Sequence, residues 1–171
     1  MQNYFSIFNL PQQFEIDQKV LETNFRKIQS ESHPDRFVTA SSSEKLASMQ
    51  TATLANEAYL TLKNPANRAK YLLALHGINA TDEANTRMPA DFLMQQMEWR
   101  EAIDDAKAEK NISALEKLLQ EMQLEAKHLQ AHLTKLLDVE KDYASAMDDT
   151  RKLIFIDKVC ADINKVIEHL D

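Results

Sequence analysis

One glycine, one cysteine and four prolines in 171 residues exclude more than they permit. β-Hairpins need glycine- and proline-rich turns at short intervals, and this chain cannot supply them. With Ala, Leu, Glu, Lys, Gln and Met abundant instead, the composition predicts an all-α protein. The lone Cys160 excludes an internal disulfide and any cysteine-cage zinc or iron-sulfur site within the chain. A single glycine also excludes a glycine-rich phosphate loop, and with it an independent NTPase. No nucleophile and base stand in a recognisable pairing, so the chain is not expected to be an enzyme, and nothing in it calls for a cofactor. No apolar run approaches membrane-spanning length, and the start, Met1-Gln2-Asn3-Tyr4-Phe5, lacks the basic region of a signal peptide. A cytoplasmic protein with no membrane partner is expected.

The net charge of -7 is unevenly placed. Residues 1–76 carry net +1, while the remainder carries net -8. A duplex-binding protein concentrates basic residues on one face to exchange for phosphate counterions. The acidic half would repel that backbone, which argues against a nucleic acid partner.

His33-Pro34-Asp35 is the most informative local feature. Proline pushes its predecessor out of the α region, so the helix carrying Val20, Leu21, Phe25 and Ile28 must stop at or before His33. The tripeptide is therefore expected on a non-helical loop between two long helices. Ser41-x-x-Glu44 follows as a capping box for the second of them. An imidazole and a carboxylate are thus displayed at the tip of a helical hairpin, where loop residues often carry function. On the residues alone, an ordinary proline-stopped turn accounts for them equally.

Around this hairpin, Tyr4 to Leu10 reads as a short apolar helix stopped before Pro11, and Asp17 can cap the next helix. The helix from about Ser42 to Lys63 takes Leu46, Met49, Leu54, Ala58 and Leu62 as its apolar positions. Asn64-Pro65 then starts a helix bearing Ala69, Leu72 and Leu73, which Gly77 ends as a left-handed cap with Ile78 packing back. Residues 79–88 lack apolar periodicity and form the expected linker. Beyond it lie three helical patterns, roughly Pro89 to Lys110, Ser113 to Lys141 and Tyr143 to Leu170. The middle one opens at a second capping box, Ser113-x-x-Glu116, and carries leucines three and four apart from Leu115 to Leu137. A three-helix antiparallel bundle buries those stripes, although such sustained spacing also permits a coiled coil.

Helical phase singles out one further surface. On the helix from Pro89, Phe92, Trp99, Ile103 and Ala106 share the core side at about 100° per residue. Leu93, Met94 and Met97 fall off that side, next to Glu98, Glu101 and Asp105. On the last helix Leu153, Ile156, Cys160, Ile163 and Ile167 form a core stripe, while Phe155 points elsewhere. Off-core apolar groups edged by carboxylates and rich in adaptable methionine suggest a binding patch. Packing against the N-terminal half, or simple exposure, is the plainer alternative. Glu125-x-x-His128, with His132 one turn on, imitates half of a di-metal motif, but both histidines lie opposite the leucine stripe and read as solvated surface. No metal site is expected. Arg26 and Lys27 read equally as a solvated helix face, Glu22 and Arg26 being ordinary i, i+4 support.

Taken in order, these residues resemble the J-domain proteins and, within them, the HscB-type co-chaperones of bacterial iron-sulfur cluster assembly. The J-domain likeness rests on Tyr4-Phe5, Phe8, Leu10-Pro11, His33-Pro34-Asp35 and Asn56-Glu57-Ala58-Tyr59-x-x-Leu62. The HscB likeness rests on Pro65-x-x-Arg68-Ala69-x-Tyr71-Leu72-Leu73-x-Leu75-His76-Gly77, on Phe92-Leu93-Met94 with Glu98-x-Arg100-Glu101, and on Arg151-Lys152-Leu153-x-Phe155-x-Asp157-Lys158. Ser32 stands where an aromatic residue commonly precedes the tripeptide, and Arg36 where lysine is frequent. Glu22 replaces a base often found on that helix, leaving Arg26 and Lys27 as the matching basic pair, which fits a dedicated chaperone partner. The absence of the N-terminal cysteine-pair zinc module of some eukaryotic relatives points to the bacterial form.

The resemblance implies a J-domain over residues 1–78, a linker over 79–88 and a scaffold-binding three-helix bundle over 89–171. It implies that His33, Pro34 and Asp35, with Arg26 and Lys27, meet a DnaK-like ATPase of the HscA type and stimulate it. It further implies that Leu93, Met94, Met97, Glu98, Glu101, Asp105 and Phe155 hold the iron-sulfur scaffold IscU. Delivery of another client, or a helical adaptor without chaperone activity, are the rival functions.

Overall fold

The computed structural model describes residues 2–82 and 88–171, and every regular element among them is helical. Residues 83–87 of the expected linker lie outside the described residues. The chain divides into two compact units, Met1–Leu72 and Leu73–Asp171, with the division falling inside a helix.

The first unit holds α1 (Tyr4–Ile7), α2 (Gln18–Glu31), a 3-10 turn (Pro34–Phe37), α3 (Ser42–Lys63) and most of α4 (Pro65–Leu75). α1 is shorter than the apolar run suggests. Its chain turns at Asn9, in the left-handed region at φ 54°. Local chemistry sets the other starts: Asp17 accepts from the Lys19 and Val20 amides, Ser41 from Glu44, and Asn64 from Asn67. α2 and α3 pack as a hairpin, joined by Phe25 and Tyr59, whose rings stack at 4.0 Å.

Leu46, Met49 and Leu54 do not enter this core, contrary to their reading as apolar core positions of α3; they are exposed. Leu46 and Met49 stand opposite the buried Ala58 and Leu62 by helical phase. Phe5, Phe8 and Phe14 fill the interior from the N-terminal segment, and α3 turns the small Ser48, Ala55 and Ala58 inward with Leu62. Buried Arg68 closes the unit. Its Nε donates to the Phe14 carbonyl at 2.6 Å, its Nη1 to the Leu62 carbonyl at 2.7 Å, and its guanidinium lies over the Phe14 ring.

α4 ends as its sequence predicts. Gly77 has φ 78°, with the Ile78 amide bonded to the Leu73 carbonyl and the Gly77 amide to the Ala74 carbonyl, the paired bonds of a Schellman cap. The next residues do not leave the second unit. Ala80 is fully buried, Arg151 donates to its carbonyl at 3.0 Å, and His76 stacks on Tyr143 at 4.1 Å.

The second unit continues with α5 (Ala90–Ala108), α6 (Ile112–Leu133), a π-helical turn (Thr134–Glu140) and α7 (Tyr143–Leu170). α6 is central and packs on both neighbours, giving a three-helix bundle. Its cap is Asn111, which accepts from the Ala114 amide; Ser113, expected to cap, lies inside the helix. The far end is also not plain α-helix. The π turn buries Leu136 and Leu137 together before Lys141 turns left-handed at φ 57°. α7 buries a broad arc because it meets two helices. Val159 is buried on it, whereas Cys160, expected on the core stripe, is only half-buried, and burial followed by the Asp157 charge pushes its thiol pKa up.

His132 is exposed, as expected, but it has a partner that the sequence did not announce. Its Nδ1 shares a short hydrogen bond with Asp149, a carboxylate only 6% exposed on α7. His128 instead lies 3.9 Å from Glu125 on the surface. Replacing His132 by Ala strands a buried carboxylate and is expected to cost about 1–3 kcal/mol in urea unfolding. The same change at His128 is expected to stay within about 0.5 kcal/mol.

Candidate functional site

The first candidate surface forms where α2 must stop. Ser32 caps α2, its hydroxyl donating back to the Ile28 carbonyl at 2.7 Å, and the chain turns at His33 into the 3-10 turn headed by Pro34. The tripeptide is thus half-helical rather than an open loop. Proline tolerates the first position of a helical turn because its missing N–H has no partner there anyway. His33 caps this turn: its Nδ1 accepts from the Asp35 amide at 3.2 Å. An imidazole accepting at Nδ1 carries its proton on Nε2 in the neutral form, so His33 presents an N–H donor outward. The Asp35 carboxylate is open to solvent, with His33 Nδ1 3.6 Å away. The pair offers one donor and one anion side by side.

An open depression of about 630 Å³ joins these groups. Arg26, His33, Pro34, Asp35 and Arg36 line it from one side, Ala52 and Asn56 from α3. Arg26 is held by Glu22 at 2.5 Å, so part of its charge is already neutralised. Lys27 does not line the depression; it sits about 100° further round α2. Of the five residues assigned to chaperone contact, four are brought together here.

The second candidate surface lies on α5. Leu93, Met94 and Met97 are exposed, as are Glu98, Glu101 and Asp105, while Phe92, Trp99 and Ala106 are buried. Phe155 behaves otherwise. It is half-buried, its ring stacked on Trp99 at 6.3 Å and edge-on to Phe92 at 5.8 Å, with the Arg100 guanidinium over its face. Phe155 therefore belongs to the α5–α7 seam and does not point away from the core. Counting 100° per residue from Phe92, Arg100, Leu93 and Met97 stand at about 80°, 100° and 140°, on the Phe155 side. Met94, Glu101, Asp105 and Glu98 continue round the helix from about 180° to 240°. Beside Phe155 a groove of about 470 Å³ opens between α5 and α7, floored by Ile103, Val159 and Ile163.

The described residues contain no cluster of three His, Cys, Asp or Glu side chains suited to a metal, and no helix long and apolar enough to cross a membrane.

Residues 88–164 match the family model described as the HSCB C-terminal oligomerisation domain. The co-chaperone protein HscB homologue of Paraburkholderia phymatum is 47% identical over 99% of this chain and 96% of its own length. The chain belongs to the HscB co-chaperone family. Among solved structures, chaperone HscB from Vibrio cholerae superposes with a TM-score of 0.85 at 37% identity, covering 99% of this chain and all of that one. Human co-chaperone HscB gives 0.87 at 27% identity, covering 96% of this chain and 81% of its own. The HscB fold of a J-domain and a C-terminal helical bundle is thereby shown for this chain.

Several HscB-like motif residues turn out to hold the fold rather than face outward. Arg68 ties Phe14 to the end of α3, and Arg151 fixes Ala80 to α7. Neither role was visible in the sequence, because the Phe14 and Ala80 carbonyls that they reach lie 54 and 71 residues away. An arginine inside an otherwise apolar motif was the only hint. Phe155→Ala is expected to lower stability by about 2 kcal/mol, less than the ~3–5 of a fully buried phenylalanine. Leu93→Ala and Met97→Ala are each expected to stay within about 0.5 kcal/mol, as read by paired thermal melts.

Proposed function

We propose that this chain is a co-chaperone that joins an HscA-type, DnaK-like ATPase to an IscU-like iron-sulfur scaffold. It stimulates the ATPase and so aids iron-sulfur protein maturation in the cytoplasm. The observation that carries this reading is the exposure of one unlike surface on each unit: a donor–anion pair on the first, an apolar and acidic helix face on the second. Membership of the HscB family supports the division of roles.

At the first surface, the His33 Nε2–H donates to the ATPase while Asp35 receives a basic group from it, with Pro34 fixing both directions. Arg26 adds a cation once Glu22 releases it; Lys27 acts only as a nearby charge. At the second, Leu93 and Met97 form the apolar centre beside the Phe155 edge and are the anchors. Met94, Glu98, Glu101 and Asp105 extend the contact round α5 toward basic groups of the scaffold.

The chain itself performs no covalent chemistry in this scheme. Carrying scaffold and ATPase on one molecule raises their concentration relative to each other, so each contact can remain weak enough to release. The iron-sulfur cluster is cargo on the scaffold.

His33→Gln replaces the rigid imidazole, which holds acceptor and donor on opposite sides of one ring, by a flexible amide, and is expected to abolish ATPase stimulation of purified HscA-type chaperone with scaffold binding intact. Stimulation at the wild-type rate by this variant would sink the assignment of the tripeptide. Leu93→Ala combined with Met97→Ala is expected to weaken calorimetric binding to IscU at least about tenfold at unchanged melting temperature, a loss of roughly 1.4 kcal/mol or more. Unaltered binding would remove α5 from the scaffold contact.

A further inference from the structure

His128 and His132 stand one turn apart on the outer side of α6. Being four residues apart, they share one face of the helix, with Cβ atoms about 5–6 Å from each other. A helical His-x-x-x-His pair grips a single metal ion at this spacing. Both side chains are open to solvent, 70% and 54% exposed. Spacing alone gives no reason for a metal here. The surroundings of the two rings do.

His132 Nδ1 shares its short hydrogen bond with Asp149, a carboxylate only 6% exposed. A carboxylate accepts, so in the neutral ring the proton sits on Nδ1 and Nε2 keeps a free lone pair. His33 has the opposite arrangement, its Nδ1 accepting and its Nε2 protonated. His128 Nδ1 faces the Glu125 carboxylate at 3.9 Å, which favours the same tautomer as in His132. A carboxylate behind the far ring nitrogen is how metal-ligating histidines are oriented and made better ligands. Asp149 acts from a different helix, so the His132 ring is held across the contact of α6 with α7. Cations close by in sequence do not oppose an ion. Lys135 is paired with Glu140 at 3.7 Å, and Lys127 lies about 100° round the helix from His128.

We propose that the Nε2 atoms of His128 and His132 bind one divalent ion of the zinc, nickel or copper class, with Asp149 positioning His132 from α7. Neutral imidazole suits these ions, whereas magnesium and calcium seek oxygen ligands. Two protein ligands are one fewer than a catalytic zinc site has, so water completes the coordination and the ion exchanges readily. Because the ion engages α6 directly and α7 through Asp149, occupancy stabilises the folded second unit by mass action. The site uses neither the tripeptide nor the outer face of α5, and stands independently of the function proposed for them.

The test titrates the untagged full chain with zinc chloride at neutral pH in a calorimeter, with magnesium chloride as the comparison ion, beside the variants His128→Ala and Asp149→Asn. One zinc ion per chain is expected, and a melting temperature raised on the order of 5 °C at saturating zinc. His128→Ala removes one ligand from an exposed position and is expected to weaken zinc binding at least about tenfold, with an unchanged metal-free melt. Asp149→Asn leaves both ligands in place and is expected to weaken zinc about tenfold or more, measured well below its melting temperature. A merely structural Asp149 would leave zinc affinity untouched in that variant, and this result overturns its positioning role. Absence of zinc binding by the wild type, or equal binding by wild type and His128→Ala, overturns the site. Magnesium binding as tightly as zinc would assign the ion to surface carboxylates and overturns it as well. If Asp149→Asn fails to fold, the comparison of wild type with His128→Ala decides alone.

Discussion

A buried cation is the constraint around which the first unit is assembled. Removing the Arg68 guanidinium from water is costly unless its donors are met, and carbonyls of two segments distant in sequence meet two of them. Phe14 and Leu62 cannot satisfy Arg68 unless the segment before α2, the end of α3 and the start of α4 converge. That convergence fixes α3. The Phe25–Tyr59 stack then fixes α2 against it. Only with both helices set does the turn between them acquire a direction, so the placement of His33 and Asp35 depends on a residue that never approaches them.

The second unit solves a different problem. It presents an apolar face to solvent while keeping a core, and does so by assigning the two jobs to opposite sides of α5. Phe92, Trp99 and Ala106 face inward, while Leu93, Met94 and Met97 face outward. Phe155 joins the two sides. Its ring is packed on Trp99 yet half-open beside the groove, so a partner contacting it would press directly on the seam between α5 and α7.

Much of this was legible in the sequence wherever the cause is local. Pro34 stops α2 through its own ring, Asp17 and Ser41 cap through amides two and three residues away, and Gly77 takes the left-handed cap because it has no Cβ. The face of α5 was legible for the same reason, since helical phase is a local property. What sequence reasoning missed is tertiary. Leu46 and Met49 are the exception: by helical phase they stand opposite Ala58 and Leu62, so one face could not bury all of them, and the reading of α3 failed locally. The His132–Asp149 pair spans the turn between α6 and α7, and the Phe155 stack spans two helices, so neither periodicity nor capping could announce them. Asn111 outcompeted Ser113 as a cap by standing two residues earlier, with an equally good acceptor.

Trp99 is the only tryptophan in the chain, and its indole Nε1 is buried without a hydrogen-bond partner among the described residues. An indole in such dry surroundings, stacked on Phe155, emits at short wavelength, and its emission moves when water or a polar group reaches the ring. The protein therefore carries a built-in optical probe beneath the face proposed to meet the scaffold. Any partner that shifts Phe155 changes the light from a single, already assigned residue, with no dye or label added.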